Sequence, residues 1–165
     1  MTHRCFGLVA LVALACAMPA GAQRSAATDD RASMLASIEA RRDTYAGVAK
    51  QIWGFAEVGY QEQKSSGLLQ QQLRAAGFQV KAGVADIPTA FVATFGSGKP
   101  VIGIVGEFDA LPGLSQKAQT AARHAIEDNA PGHGCGHNLL GTGALAAAVA
   151  VKEWMIATGQ KGTLR

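Results

Sequence analysis

The chain has 165 residues, of which 48% are apolar and 16% are charged, with 20 glycines and a net charge of +3. This composition excludes a disordered tail, because the apolar fraction can build a core for one domain, and it excludes collagen, because the glycines have no three-residue period. Lysine and arginine are scattered and no basic run accompanies aromatic residues, so no nucleic-acid partner is expected.

The first 22 residues have the build of a secretory signal peptide. Arg4 precedes an unbroken apolar stretch over residues 6–17, and residues 20–22 read Ala-Gly-Ala, which is a small-x-small cleavage site. The stretch is shorter than the roughly 20 apolar residues of a membrane span, so no stable membrane anchor is expected. We predict cleavage after Ala22 and a periplasmic or secreted protein. An uncleaved anchor and a lipid-modified Cys16 are the alternatives.

Export would leave a single cysteine in the mature chain. Cys5 and Cys16 lie within the signal peptide, so Cys135 remains without a partner for an internal disulfide. A lone thiol in an oxidising compartment is prone to oxidation unless something holds it, and a metal would do so. A small redox protein is the weaker interpretation, because the sequence has no Cys-x-x-Cys pair.

Helices are predicted in three places after a small polar linker at residues 23–30. Apolar residues recur at helical spacing over residues 31–55 and again over residues 64–76, where Gly77 provides the C-terminal stop. The strongest helix is predicted over residues 138–158. It is apolar on every side, so we expect it to be largely buried.

The predicted strands complete an α/β pattern. They lie at residues 78–80, 90–95 and 101–105, and another strand begins at residue 162. The run at 101–105 is continuous and β-branched, which is typical of a strand buried on both faces. Helices followed by strands and a buried helix predict one α/β domain of three layers, α/β/α, over residues 31–165.

The segment 132–138, Gly-His-Gly-Cys-Gly-His-Asn, is a candidate metal site. Thiolate and imidazole are preferred ligands of zinc and other borderline metals. Side chains two residues apart in an extended segment point the same way, so Cys135 and His137 could reach one ion, and His133 could join them. A glycine-rich loop with incidental histidines and a buried thiol is an equally open interpretation on composition alone.

A second polar cluster, residues 106–113, follows the strand predicted at 101–105. Asp109 could orient a metal-binding histidine through a hydrogen bond, and Glu107 could bind metal or face solvent. Ordinary turn chemistry is the alternative, since aspartate before Leu-Pro-Gly is a common way to leave a strand.

Three segments together resemble a known enzyme family. They are residues 52–62, Ile-Trp-Gly-Phe-Ala-Glu-Val-Gly-Tyr-Gln-Glu; residues 106–113, Gly-Glu-Phe-Asp-Ala-Leu-Pro-Gly; and residues 132–141, Gly-His-Gly-Cys-Gly-His-Asn-Leu-Leu-Gly. Their sequences, order and spacing resemble the N-terminal part of the aminoacylase, hippurate-hydrolase and aminobenzoyl-glutamate-hydrolase family of metal-dependent amidohydrolases. This family belongs with the co-catalytic zinc exopeptidases. The resemblance covers residues 32–165.

The resemblance implies a fold, a reaction and a set of site residues. The fold is the N-terminal portion of a three-layer α/β/α zinc-exopeptidase catalytic domain. The reaction is hydrolysis of the amide bond of small N-acyl or N-aroyl amino acids, with zinc or manganese activating a water and a glutamate acting as general base. Cys135 and His137 are implied as metal ligands, Asp109 as a supporting residue beside the metal, and Glu57 as a structural or substrate-side residue.

The resemblance also implies a longer protein. Family members extend to more than twice this length, and their general base, further ligands and dimerisation domain follow the segment present here. The expectation is therefore a partial catalytic domain that is inactive alone, in a protein that is a homodimer at full length. A non-catalytic metal- or ligand-binding remnant of the same fold is the alternative.

Overall fold

The structure is a computed structural model that describes residues 20–165, with side chains described from residue 29 onward. The predicted signal peptide, residues 1–22, therefore lies outside the described residues except for its last three. Four α-helices, a 3-10 helix and four strands follow in the order α1 Ala20–Glu39, α2 Arg42–Phe55, α3 Gln63–Ala75, β1 Gln79–Ala82, 3-10 helix Val84–Asp86, β2 Phe91–Ser97, β3 Val101–Ile102, α4 His137–Thr158 and β4 Gly162–Leu164.

The N-terminal helices differ from the prediction in two ways. The segment 23–30, predicted as a linker, is helical and lies within α1, where alanines are frequent and neither glycine nor proline follows Gly21. The helix predicted over 31–55 is two helices that separate at residues 40–41. At this break the Arg41 amide donates to Ile38 O, three residues back, which is a tighter turn than that of an α-helix. The Arg41 guanidinium donates to Ser37 O.

Helix α3 agrees with the prediction to within one residue at each end. Its C-terminus is closed by Gly77, which adopts φ +85°, a conformation that side-chain-bearing residues rarely adopt. Leu69 and Leu73 are buried, as the predicted apolar face requires, and they enter the core beside Phe78.

The four strands form one mixed sheet in the order β1-β2-β4-β3. Strands β1 and β2 are antiparallel, as are β2 and β4, whereas β3 and β4 are parallel. Leu164 of β4 lies opposite Phe95 of β2 on one side and Ile102 of β3 on the other. The strand predicted to begin at residue 162 is therefore central in the sheet.

The prediction for residues 101–105 was wrong in extent and burial. Only Val101 and Ile102 form a strand, and each is 56% exposed, while Val105 is 89% exposed. The reason is topological: β3 lies at the edge of the sheet and pairs with β4 alone. An apolar β-branched run indicates a strand but does not reveal which position in the sheet it takes.

The core lies between the helices and the sheet. Helix α4 packs against α1, α2 and α3, and α3 packs against β1 and β2. The largest fully buried apolar side chains are Ile52 of α2 and Leu164 of β4. A mixed α/β domain was predicted from the sequence, and the structure has one.

Helix α4 is buried in its middle and exposed toward its ends, which corrects the expectation that it would be largely buried. Leu145 and Val149 are in the core, whereas Leu139, Leu140 and Ile156 are exposed. Among the described residues, α4 alone has the length and composition of a membrane span. Core helices of soluble proteins meet the same criterion, and the packing of α4 against three other helices matches that description.

Candidate metal centre

Backbone pairing brings the two predicted polar clusters together. The Ala110 amide donates to Glu57 O at 2.7 Å, and on the other side Leu111 and Gly132 exchange two backbone hydrogen bonds of 3.0 Å each. The short segment Ala110–Leu111 is thus paired along both edges. As a result, the cluster that follows β3 lies against the glycine-rich loop that precedes α4.

Close contact between this segment and α4 depends on two glycines. A Cβ atom added to Gly141 would lie 3.0 Å from both Glu107 O and Phe108 Cβ, and one added to Gly106 would lie 2.7 Å from Ala144 Cβ. Both distances are shorter than ordinary van der Waals contacts. Because Gly106 and Gly141 have no side chains, the segment that follows β3 can lie directly on the first turns of α4.

His137 is the first residue of α4 and contacts a carboxylate through each ring nitrogen. Its Nδ1 lies 2.8 Å from Asp109 Oδ1, and its Nε2 lies 3.2 Å from Glu107 Oε2. The His137 side chain is 15% exposed, that of Asp109 33% and that of Glu107 61%. Because an ionised carboxylate can only accept, Nδ1 carries the proton in the bond to Asp109.

A carboxylate beside each ring nitrogen suits a positive charge at Nε2, which either a proton or a metal cation supplies. When the His137 ring is neutral and Nδ1 donates to Asp109, Nε2 presents a lone pair to the Glu107 carboxylate, and two acceptors face each other. A cation beside Nε2 relieves that repulsion, because it accepts the imidazole lone pair and attracts the carboxylate. Histidine, thiolate and carboxylate donors suit zinc, and manganese also binds imidazole and carboxylate.

Cys135 lies in the loop two residues before His137. Its thiol is free and exposed, so it is accessible to an ion that approaches the loop from solvent. Within the described part of the chain, no group of three or more histidine, cysteine, aspartate or glutamate side chains is arranged to hold a metal ion. The donors come from neighbouring segments, but they do not converge on one point.

His133, the third candidate of the motif, is directed elsewhere. Its Nε2 lies 3.1 Å from Ile52 O, and its Nδ1 is buried with no hydrogen-bond partner in the protein. Burial lowers the pKa of His133, which favours the neutral ring. The structure therefore does not place His133 with Cys135 and His137.

Glu57 has a structural position, one of the two roles that the resemblance implied. Its Oε1 accepts from Lys64 N at 3.0 Å, and its Oε2 accepts from the amide and the hydroxyl of Ser65, each at 2.8 Å. The carboxylate thus caps the N-terminus of α3, where backbone amides lack helical partners. The backbone carbonyl of Glu57 also accepts a hydrogen bond from the Ala110 amide, so Glu57 fixes the segment that carries Asp109 as well.

Two features of the site were not predicted from the sequence. The sequence left undecided whether Glu107 binds metal or faces solvent, and its contact with His137 was not predicted. The backbone pairing of Leu111 with Gly132 was not predicted either. Such pairing joins segments about twenty residues apart and has no local pattern. Gly132 is the one signal that could have indicated it, since a Cβ there would lie 2.1 Å from Leu114 O and only glycine permits the approach.

One curated relative shares much of the sequence. Over 129 residues the chain is 51% identical to a subunit of the p-aminobenzoyl-glutamate hydrolase of Escherichia coli strain K12. The match covers 78% of this chain and 27% of the relative, so the chain spans about a quarter of that protein's length. No protein-family profile matches the chain.

Two solved structures share the fold. An aminohydrolase-type protein from methicillin-resistant Staphylococcus aureus superposes with a TM-score of 0.64 at 18% identity, over 80% of this chain and 33% of that one. The YXEP protein of Bacillus subtilis, a dinuclear metal-binding peptidase of the M20 family, gives a TM-score of 0.62 at 20% identity, over 76% and 34%. At these identities the likeness shows the fold alone. The mixed α/β domain therefore matches about a third of each structure.

Proposed function

We propose that the chain supplies part of a metal-dependent amidohydrolase site of the M20 peptidase and aminohydrolase family. The proposal is supported by the 51% identity to a p-aminobenzoyl-glutamate hydrolase subunit and by the fold shared with a dinuclear metal-binding M20 peptidase. The proposed reaction is hydrolysis of the amide bond of N-acyl or N-aroyl amino acids, with p-aminobenzoyl-glutamate as the leading candidate substrate. The observation that carries the proposal is the position of His137 between the carboxylates of Asp109 and Glu107.

In this proposal, Cys135 and His137 hold the metal. Asp109 accepts the Nδ1 proton of His137, which fixes the ring orientation and makes Nε2 a better donor. Glu107 adds negative charge beside Nε2, either as a ligand or as a neighbour of the ion. A divalent ion bound here would supply positive charge to polarise the amide carbonyl and to acidify a water.

The proposal assigns no general base to the described residues. Glu107 and Asp109 both contact His137. The proposal therefore gives them the roles of orienting the imidazole ring and adding negative charge beside it, and not the role of accepting a proton from water. Glu57 is engaged by the backbone of α3. We therefore expect a polypeptide of residues 23–165 to bind metal weakly and to lack hydrolytic turnover.

A non-catalytic remnant is the second candidate function. The absence of a three-donor metal group within residues 29–165 favours it. In that case the loop would bind a metal or a ligand without contributing to hydrolysis.

A chimera separates the two candidates. The matched residues of this chain would replace the corresponding segment of the Escherichia coli relative, and hydrolysis of p-aminobenzoyl-glutamate would be assayed with zinc and with manganese. We expect metal-dependent turnover that falls at least about hundredfold in Cys135→Ser and His137→Ala, as for loss of a metal ligand. Asp128→Asn, on an exposed loop, is the matched control. A folded, dimer-competent chimera without turnover would support the remnant.

A further inference from the structure

Two side chains fasten the loop that carries Cys135 and His137 to helix α2. At one end His133 Nε2 lies 3.1 Å from Ile52 O, and at the other end Asn138 Nδ2 donates to Ala49 O at 3.2 Å. The two acceptors are three residues apart in α2, so they lie on one face of that helix. Both candidate ligands lie between the two anchor points.

The geometry identifies His133 as a hydrogen-bond donor rather than a metal ligand. A carbonyl oxygen only accepts, so Nε2 carries the proton in the bond to Ile52. The other nitrogen, Nδ1, is buried and has no partner in the protein. In this arrangement Nε2 is engaged by Ile52 O and Nδ1 is buried, so neither nitrogen is exposed to an ion at Cys135.

The anchors are attached to rigid parts of the molecule. Ile52 is 0% exposed, and Ala49 and Asn138 are each 7% exposed, so these side chains are fixed by the core. The Asn138 bond is buried, so water competes little with it, and the His133 bond is partly buried. By contrast, the residues between the anchors include Gly134 and Gly136, which place few restrictions on the backbone.

We propose that His133 and Asn138 are positioning residues, which hold both ends of the ligand-bearing loop on α2 and thereby set the relative placement of Cys135 and His137. The inference rests on the proposed function, since it assumes that these two residues bind metal. A loop held at both ends loses less freedom when an ion binds, so its affinity is higher than that of a free loop.

The test uses the chain of residues 1–165 with Cys5→Ser and Cys16→Ser, so that Cys135 is its single thiol. Cobalt(II) serves as the probe, because thiolate coordination produces an absorption band and the visible spectrum reports the coordination geometry. We expect about tenfold weaker cobalt binding and an altered visible spectrum in His133→Leu and in Asn138→Leu. His133→Gln keeps a donor for Ile52 O and should restore most of the affinity.

A matched control separates positioning from general destabilisation. Ser66 Oγ donates to Thr89 O at 2.6 Å in a buried bond far along the chain from the loop. Ser66→Ala should lower the unfolding free energy much as the anchor variants do, yet leave cobalt affinity and spectrum unchanged. Equal loss of cobalt binding in Ser66→Ala would overturn the proposal, as would unchanged binding in both anchor variants. If His133→Gln binds as weakly as His133→Leu, donation to Ile52 O does not account for the loss and the proposal is wrong.

A metal-free measurement tests the positioning of the loop separately from the proposed function. The Nδ1 proton of His137, which is bonded to Asp109, gives a resonance that reports the loop position in the apo protein. We expect this resonance to shift or broaden in His133→Leu and Asn138→Leu and to stay in place in Ser66→Ala. If cobalt never reaches Cys135 in the parent chain, the proposed function fails. If the resonance is also unchanged in both anchor variants, the positioning role fails separately.

Discussion

The Nδ1 atom of His137 lies 2.8 Å from Oδ1 of Asp109, although the two residues are 28 positions apart in the sequence. The contact exists because the segment after β3 is paired on one side with Glu57 and on the other with Gly132. Asp109 therefore fixes both the tautomer and the orientation of the imidazole.

Asp109→Asn should weaken metal binding. The amide lacks the negative charge that makes His137 a strong donor, and losing such a partner typically costs about ten- to hundredfold in affinity. Competition with a zinc chelator measures the change. Asp128→Asn, a carboxylate-to-amide change on an exposed loop, should leave the affinity as it is. Identical affinities for the two variants would show that Asp109 does not support the metal.

Glu57→Ala should destabilise the fold by about 0.5–2 kcal/mol, the usual cost of losing a helix N-terminal cap. The change leaves the amides of Lys64 and Ser65 without their acceptor. Urea denaturation measures the loss. Glu57→Gln retains one carbonyl oxygen and should lose less. Gln63→Ala, at an exposed position on the same turn, is the control and should be nearly neutral.

Glu153→Gln should make stability less dependent on pH in the acid range. A hydrogen bond from the Ser37 hydroxyl, with support from Arg41, lowers the pKa of Glu153 below its usual value of 4.5. The unfolded state therefore takes up the proton first as the pH falls. The stabilisation is complete above pH 4.5 and is lost as the pH falls through the folded-state pKa.

The unfolding free energy of the parent and of Glu153→Gln should be compared from pH 6 to pH 3. The two curves should converge at the acid end, because protonation removes the same interaction in the parent. Ser37→Ala should move the profile in the same direction, since it deletes the donor. Parallel curves across this range would contradict the assignment.

Leu164→Ala should cost about 2–5 kcal/mol, the range for a fully buried leucine. Leu164 is 2% exposed and lies between Phe95 and Ile102 in the middle of the sheet. Thermal unfolding gives the measurement. Val101→Ala on the exposed edge strand is the control, and its effect should stay within about 0.5 kcal/mol. Similar losses for both variants would place β4 outside the core.

Export should remove the first 22 residues. N-terminal sequencing of the exported protein is expected to begin at Gln23, because Ala20 and Ala22 provide the small side chains that signal peptidase requires. Ala22→Leu should block cleavage, whereas Ala27→Leu, beyond the cleavage site, should not. A product that retains Met1, or one that carries lipid on Cys16, would overturn the prediction.

Local patterns predicted most of the elements but not their positions in the sheet. Helix α3 and helix α4 were found because leucine spacing and terminal glycines are properties of the segment itself. The edge position of Val101 and Ile102 depends on β4, more than sixty residues away, and no local pattern encodes it. The break at Arg41 was missed for a similar reason, since Arg41 pairs with Glu153 on α4.

The candidate site was predictable as a set of residues but not as a geometry. Residue type made Cys135, His137 and Asp109 candidates, because thiol, imidazole and carboxylate are the usual donors and partners of a metal, and the family resemblance implied them as a set. The engagement of His133 with Ile52 was not predictable, since the alternation of side chains in an extended loop placed it with the ligands. Packing against α2 overrides that alternation.

The order of strands has a consequence for synthesis on the ribosome. Residues 100–104 make their sheet bonds with residues 163–165, through Thr163 N to Pro100 O, Arg165 N to Ile102 O and Ile104 N to Arg165 O. The β1–β2 hairpin can close as soon as it emerges, but β3 must wait until all of α4 has been translated. At about 5–20 residues per second this delay lasts several seconds, during which Val101 and Ile102 lack their strand partner and are open to chaperones and to other nascent chains.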